Sequence, residues 1–534
     1  MSQQRHNPQH LPRQRIVVSA AEMQAIEVRM FDAGMPVAAL MEKVSGRIAA
    51  WLSDRFPQAH RVLVLAGPGH NGGDALAVAR ELHHQGYGVS VCSPITQRKD
   101  LTEQHARYVE GIGIPQIAVD QLTAAQLAAA QKPELIVDGL FGFGLSRPIE
   151  GELAQLVQSI NGIDAPTISI DLPSGIHTDT GRPLGEAVQA THTLCLGLWK
   201  RAYLQDQALA YLGDTSLIDF DIPLADIEAV LGTPQLVRIT STDVTAALPL
   251  RRSPTTYKYR EGHLLLVCGS ESYMGAALLT GLAARASGVG MLTIAVPQAL
   301  KPVIAAQIPD AVTVGCPTQA GAISAFPQDF DFSRYDAIAG GPGLTQQAAI
   351  VPQLLSTNKP LLLDADGLNI VAKMGTQLTL SQRKAYTLLT PHVGEFKRLF
   401  LDEAVSDGAS DRIVQAQQAA QQSGTTLLLK GARAIIASSE GQTWVNPYST
   451  PALARGGSGD VLTGLIGGLM AQAAARGEPV ENAAWCGVWW HAQTAIALAQ
   501  ERGVLGVDAH TLATQLTRFR PEAMDSKSME PLPW

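Results

Sequence analysis

Short apolar runs, most of them closed by a turn bearing glycine or aspartate and many of them followed by a helical segment, recur through both halves of this 534-residue chain. They stand at 61–67, 135–138 and 167–171 in the first half, and at 263–269, 291–296, 337–339, 361–364, 386–389 and 426–429 in the second. Runs without polar alternation are buried on both faces, and strands that alternate with helices pair in parallel, so the pattern dictates α/β layers. The C-terminal strand ends of such a sheet share one edge, and the polar residues that follow them gather there. A chain this long exceeds one core, which sets the expectation of two α/β domains. They are expected at 18–225 and 241–522, with a polar tail over 1–17, a linker over 226–240 where no long periodic element is evident, and a second tail over 523–534.

In the first half, Ser19 and Glu22 fit a capping box ahead of a helix with apolar spacing at Met23, Ile26 and Met30, and a second helix carries Leu40, Met41, Val44, Ile48 and Leu52. The first strand runs into Pro68-Gly-His-Asn-Gly-Gly-Asp74 before a helix expected over Ala75–Gln85. Strand, glycine-rich turn and helix N-terminus make a phosphate-binding geometry, although the spacing is not that of the common dinucleotide fingerprint. Asn71, Asp74, Asp138, Asp171 and Ser174 then converge on one sheet edge. Each alone is equally a turn residue, but three successive strands ending this way favour function. The oxygens of Asn71, Asp138 and Ser174 suit a hard monovalent or weakly bound cation better than zinc. Glycines within 142–144 with Arg147 suit a pyrophosphate, which leaves Asp171 as the carboxylate for proton transfer.

In the second half, the stretch 454–472 opens with Gly456, Gly457 and Gly459 and continues as an apolar helix, an anion site at a helix start. Asp460 at its rim is either a helix cap or the proton acceptor for a hydroxyl attacking a phosphate. Lys430 ends an apolar strand, a costly place for an ammonium unless an anion or carboxylate meets it. A hairpin over 435–445 brings Lys430 and Arg433 beside 455–460, which together describe a nucleotide polyphosphate site. His392, after a Thr-Pro turn and before Glu395, is read evenly as functional or as an ordinary buried histidine. Lys258 and Arg260 are either solvated linker charges or face a phosphate.

Gly-Pro-Gly-His-Asn-Gly-Gly-Asp, Asp-Gly-Leu-Phe-Gly-Phe-Gly-Leu-Ser-Arg and Asp-Leu-Pro-Ser-Gly-Ile-His-Thr-Asp-Thr-Gly resemble the signature blocks of the NAD(P)H-hydrate epimerase domain, over about residues 18–222. His70 stands where that family usually has Asn. The second half resembles the ribokinase-like NAD(P)H-hydrate dehydratase domain over about residues 235–520, on Gly275-Ala-Ala277, Gly-Pro-Gly343, Leu-Asp-Ala-Asp-Gly-Leu-Asn369, Leu-Thr-Pro-His-Val-Gly-Glu395, Leu-Lys-Gly431 and Gly-Gly-Ser-Gly-Asp-Val-Leu-Thr-Gly464. Here Gly367 replaces the usual Ala, Val393 the usual Pro, Ser458 the usual Thr, and Arg433-Ala434 the usual Gly-Thr.

The resemblance implies a Rossmann-like doubly wound domain followed by a ribokinase-like α/β/α domain. It implies a bifunctional repair enzyme that interconverts the R and S epimers of NADHX and NADPHX and dehydrates the S epimer with conversion of ADP to AMP and phosphate, ATP being the other candidate. It assigns epimer binding to His70, Asn71, Gly72, Gly73 and Asp74, to Gly142, Phe143, Gly144, Leu145, Ser146, Arg147 and Pro148, and to Asp171, with K+ on Asn71, Asp138 and Ser174. It assigns dehydratase substrate binding to Ala276, Gly343, His392 and Asp460, nucleotide binding to Lys430, Gly431, Ala432, Arg433, Ala434 and Gly459, and catalysis to Asp171 and Asp460. Mg2+ is expected from phosphoryl transfer. The alternative is a small-molecule kinase of vitamin-type alcohols fused to a non-catalytic binding domain.

A net charge of −8 disfavours nucleic acid or an anionic membrane as partner. Cys92, Cys195, Cys268, Cys316 and Cys486 lack metal or redox spacing and read as buried hydrophobes of a reducing compartment. With no signal-peptide pattern and no long apolar run, a cytoplasmic location is expected, and homo-oligomerisation is left open.

Overall fold

The computed structural model describes residues 13–119, 132–400 and 411–518, so residues 1–12 of the first expected tail and all of the second lie outside the described residues. The chain divides into two compact units between Pro234 and Gln235.

The first unit opens, inside the expected 1–17 tail, on buried Ile16 and Val17, with Val17–Val18 paired in parallel with Trp199–Lys200; α1 (Ala20–Asp32), capped by reciprocal Ser19 and Glu22 bonds, and α2 (Val37–Arg55) follow. Then come β1 (Arg61–Ala66), α3 (His70–His84), β2 (Gly88–Cys92), α4 (Asp100–Gly111), β3 (Leu135–Gly139), α5 (Gly151–Asn161), β4 (Thr167–Ile170), β5 (His192–Leu196), β6 (Asp214–Ile218) and α6 (Leu224–Leu231). The six strands are all parallel, in the order β2-β1-β3-β4-β5-β6. Alternate residues of β1 feed opposite layers: Val62, Val64 and Ala66 join the core under α1 to α3, while Leu63 and Leu65 join Leu156, Val157 and Ile160 of α5. Strand order reverses between β1 and β3, which opens a crevice beyond their C-terminal ends.

Two expectations are corrected. The helix after β1 starts at His70 rather than Ala75, so Asn71, Gly72, Gly73 and Asp74 form its first turn instead of a free loop. Gly72 makes this possible, because a Cβ there would lie 1.9 Å from the Gly67 carbonyl oxygen. The expected linker 226–240 contains the break between the two units but also carries two short elements. α6 buries Ile227 in the first core, and β7 (Leu236–Arg238) pairs in parallel with a strand of the second unit.

The second unit continues with β8 (His263–Val267), α7 (Met274–Ala286), β9 (Met291–Pro297), β10 (Val312–Cys316), β11 (Ala337–Gly340), β12 (Leu361–Leu363), α8 (Asp366–Met374), β13 (Thr387–Leu389), α9 (Val393–Phe400), α10 (Arg412–Ser423), β14 (Thr426–Leu429), β15 (Ala434–Ala437), β16 (Thr443–Asn446), α11 (Ser458–Arg476) and α12 (Asn482–Arg502). Its sheet runs β10-β9-β8-β11-β12-β13-β14-β15-β16-β7. The β14-β15-β16 pairs are antiparallel, as the expected hairpin requires. The order reverses between β8 and β11.

α11 is apolar all round because it is enclosed all round, from Val461 to Ala473, between α7, α12 and the strands β8 and β11. Gly464 and Gly468 let α7 come close: a Cβ on Gly464 would lie 2.0 Å from the Thr280 carbonyl oxygen, and one on Gly468 2.0 Å from Ser287 Oγ. No helix of the described residues is long and apolar enough to cross a membrane. All five cysteines are free and buried.

Gly464→Ala should destabilise the second unit by about 3 kcal/mol, since backbone cannot yield as a flexible side chain does. Gly46→Ala on the exposed side of α2, where no atom lies within 4 Å, should instead stabilise by up to about 1 kcal/mol. Urea unfolding of the two variants checks the opposite signs.

Candidate functional site

The crevice of the first unit is a cleft of about 740 Å³ lined by His70, Asn71, Asp74, Gly142, Phe143, Gly144, Leu145, Ser146, Arg147 and Asp171, together with Glu27, Lys99 and Lys200. Gly72, Gly73 and Pro148 fall outside the lining; Gly73 packs toward Met41 and Thr102. Asp171 has left-handed backbone, φ +69°. Its Oδ1 accepts from the wholly buried Lys200 Nζ at 2.5 Å and its Oδ2 from the Phe143 N–H at 2.9 Å. Its carbonyl accepts from the Tyr203 hydroxyl. Lys200 also donates to the Leu196 carbonyl at 2.6 Å. Burial works against the Lys200 charge, but Asp171 outweighs it and holds the ammonium above its ordinary pKa.

Behind the lining, Asp138 Oδ1 accepts from Ser174 Oγ at 2.6 Å and the Leu140 N–H at 3.2 Å, and Oδ2 from Ser169 Oγ at 2.7 Å and the Ser174 N–H at 2.9 Å. Burial raises the Asp138 pKa despite these donors. Among the described residues the buried Asn71 Nδ2 has no hydrogen-bond partner. The set holds a single carboxylate already engaged by four donors, which leaves little free charge for a divalent ion.

In the second unit the polar residues gather on Asp364, just beyond β12. Its Oδ1 accepts from Lys430 Nζ at 2.7 Å and its Oδ2 from Thr463 Oγ1 at 2.7 Å, tying the end of β14 to α11. Gly459 lies over this pair, a Cβ there falling 3.6 Å from Lys430 Nζ and 3.8 Å from Asp364 Oδ2. Asp460 follows it in the first turn of α11, after Gly457 in left-handed backbone. Burial pushes Asp460 up to about 7, with Asp364 adding to the rise and Lys430 opposing it. Burial also acts on Lys430, yet Asp364 and Glu395 keep its pKa raised.

His392 serves α9 as a cap, its Nδ1 accepting from the Gly394 N–H at 2.9 Å, while Nε2 lies 3.4 Å from Glu395 Oε1. Glu395 Oε2 in turn lies 3.9 Å from Lys430. Ala276 and Gly343 meet at the strand-order reversal, a Cβ on Gly343 falling 2.8 Å from that of Ala276. Gly431, Ala432 and Arg433 connect β14 to β15, which Ala434 begins. Lys258 and Arg260 lie over the exposed rings of Tyr259 and Tyr257, at 5.1 and 5.5 Å.

Sequence reasoning missed Lys200, Glu27, Asp364 as an anchor, and Thr463. A signal for Lys200 was available, because it closes the apolar run 194–200 just as Lys430 closes its strand. Glu27 carried none, being one charge on a helix whose buried face is Met23, Ile26 and Met30.

Comparison with known proteins agrees with both units. The family described as YjeF-related protein N-terminus matches residues 37–202, and NAD(P)H-hydrate dehydratase matches 264–518. The bifunctional NAD(P)H-hydrate repair enzyme of Thermosynechococcus vestitus is 50% identical over 504 residues, 94% of this chain and 96% of that protein. Its Synechocystis counterpart is 50% identical over 509 residues, covering 94% of each. A solved structure of an ADP/ATP-dependent NAD(P)H-hydrate dehydratase from Bacillus subtilis, co-crystallised with ATP/Mg2+, is 33% identical over 52% of this chain and 95% of that one, with a TM-score of 0.44. With half of its residues identical to such enzymes along almost its entire length, the chain belongs to the bifunctional NAD(P)H-hydrate repair enzyme family.

Proposed function

We propose that the two sites act in series, the first-unit cleft interconverting the epimers of hydrated NADH and NADPH and the Asp460 site dehydrating the S epimer at the expense of ADP. The observation that carries this is the pairing of chemistries: a fixed Asp171–Lys200 pair in one cleft, and in the other unit a carboxylate raised to about 7 at a glycine-rich helix start beside Lys430.

In the first cleft, the backbone at 142–144 and Arg147 hold the substrate pyrophosphate, and Asp171 acts on the hydroxyl of the hydrated ring. K+ would be held by Asn71, Asp138 and Ser174, where it supplies a fixed positive charge behind the 141–143 loop. In the second unit, Lys430 and the turn 431–434 hold the nucleotide phosphates while Ala276, Gly343 and His392 border the substrate. Asp460 takes the proton of the ring hydroxyl as its oxygen attacks the terminal phosphate of ADP. ADP becomes AMP; phosphate then leaves with its C–O bond where hydroxide would not, the adjacent ring carbon gives up a proton to solvent, and that C–H electron pair restores the ring double bond. The N–H groups at the start of α11 stabilise charge on the transferred phosphoryl group.

Among the described residues no group of three His, Cys, Asp or Glu side chains is arranged to hold a metal ion by itself. Mg2+ would accompany the nucleotide phosphates and neutralise part of their charge.

Three outcomes test the assignment, with a mixed-epimer hydrate, ADP or ATP, and absorbance of the reduced nucleotide as readout. Asp460→Asn should lower dehydration by at least about 100-fold; substantial recovery would remove it as the base. Asp171→Asn, chosen because Asn tolerates left-handed backbone, should dehydrate the S fraction normally and leave the R fraction to slow spontaneous exchange. Because Asp460 must be deprotonated to act, kcat/KM for the dehydratase should rise with pH through about 7, the limb vanishing in Asp460→Asn.

A further inference from the structure

Epimerisation at a hydroxyl-bearing carbon beside a ring nitrogen is served better by two proton-transfer groups, one on each face, than by a single carboxylate. Water leaves one face of the ring and adds to the other, so a proton must be given on one side and taken on the other. Asp171 is pinned at both oxygens, by Lys200 and by the Phe143 N–H, and is confined to one position. Glu27 comes from a different element, α1, and lines the same cleft half-buried, its carboxylate making no hydrogen bond among the described residues.

We propose that Glu27 is a second catalytic residue of the epimerase site, transferring a proton on the ring face that Asp171 does not serve. The proposal rests on the epimerase reading above. In one direction, the protonated Glu27 carboxyl gives its proton to the hydroxyl, the C–O bond breaks, and water departs as the nitrogen lone pair forms a C=N bond. Water then adds to the opposite face, the new C–O bond forms, and its proton passes to Asp171. The reverse direction exchanges the two roles, and the net change is one water out and one in, with the carboxyls reset through solvent.

The surroundings suit an acid that works in both states near neutrality. Burial lifts Glu27 to about 7, with Lys200 opposing, Asp171 adding and Lys99 opposing. Asp74 on α3 also faces it, and Asp226 on the adjoining α6 is taken up by Arg29 at 3.3 Å.

The test starts from the purified R epimer without nucleotide, so that the dehydratase is silent, and follows appearance of the S epimer by NMR across pH 5–9. Glu27→Gln should slow exchange at least about 100-fold and lose one limb of the pH profile, whereas Glu27→Asp should keep measurable exchange with a shifted limb. Dehydration of the S epimer with ADP should stay within twofold of wild type in both variants, which reports an intact chain. The proposal is overturned if Glu27→Gln exchanges within threefold of wild type, if its slower exchange retains the wild-type pH profile, or if Glu27→Asp is as inert as Glu27→Gln. A wild-type protein that exchanges no epimers removes the epimerase reading itself, a distinct result.

Discussion

In each unit a lysine ammonium has left water to sit on an aspartate at a strand end: Lys200 on Asp171 at 2.5 Å, and Lys430 on Asp364 at 2.7 Å. Taking charges out of water costs several kcal/mol per ion, so such a pair survives only if the remaining bonding capacity is filled. It is filled here. Lys200 finds the Leu196 carbonyl, Asp171 finds two backbone N–H groups, and Asp364 finds Thr463 and the Ala365 N–H. The rest of each edge is positioned against these fixed charges, from the 141–143 loop to the first turn of α11.

The same edges carry carboxylates without an ammonium of their own. Asp460 and Glu27 are governed chiefly by burial and shift toward 7, the condition under which a carboxyl gives and takes protons near neutrality.

Much of this was legible in the chain itself. Continuous apolar runs such as 61–67 and 426–429 could only be buried strands, and their parallel pairing then forced Asn71, Asp171, Lys430 and Asp460 onto sheet edges. What was not legible depends on contacts distant in sequence. The helix start at His70 needs the Gly67 carbonyl lying against Gly72, and β7 exists because β16 offers it an edge, a pairing with no local trace in Leu236–Arg238. Glu27 is distant from Lys200 along the chain, and only the packing of α1 over the cleft joins them.

The left-handed backbone of Asp171 bears on how such a site persists through evolution. Non-glycine residues adopt this conformation at a cost of about 1–2 kcal/mol, so local energetics alone would favour drift to glycine. Glycine would, however, strand the buried Lys200 ammonium, a loss of about 3–5 kcal/mol that outweighs the relief. A neutral step from aspartate to glycine is therefore closed by stability alone, and the fold itself holds a carboxylate at this strand end.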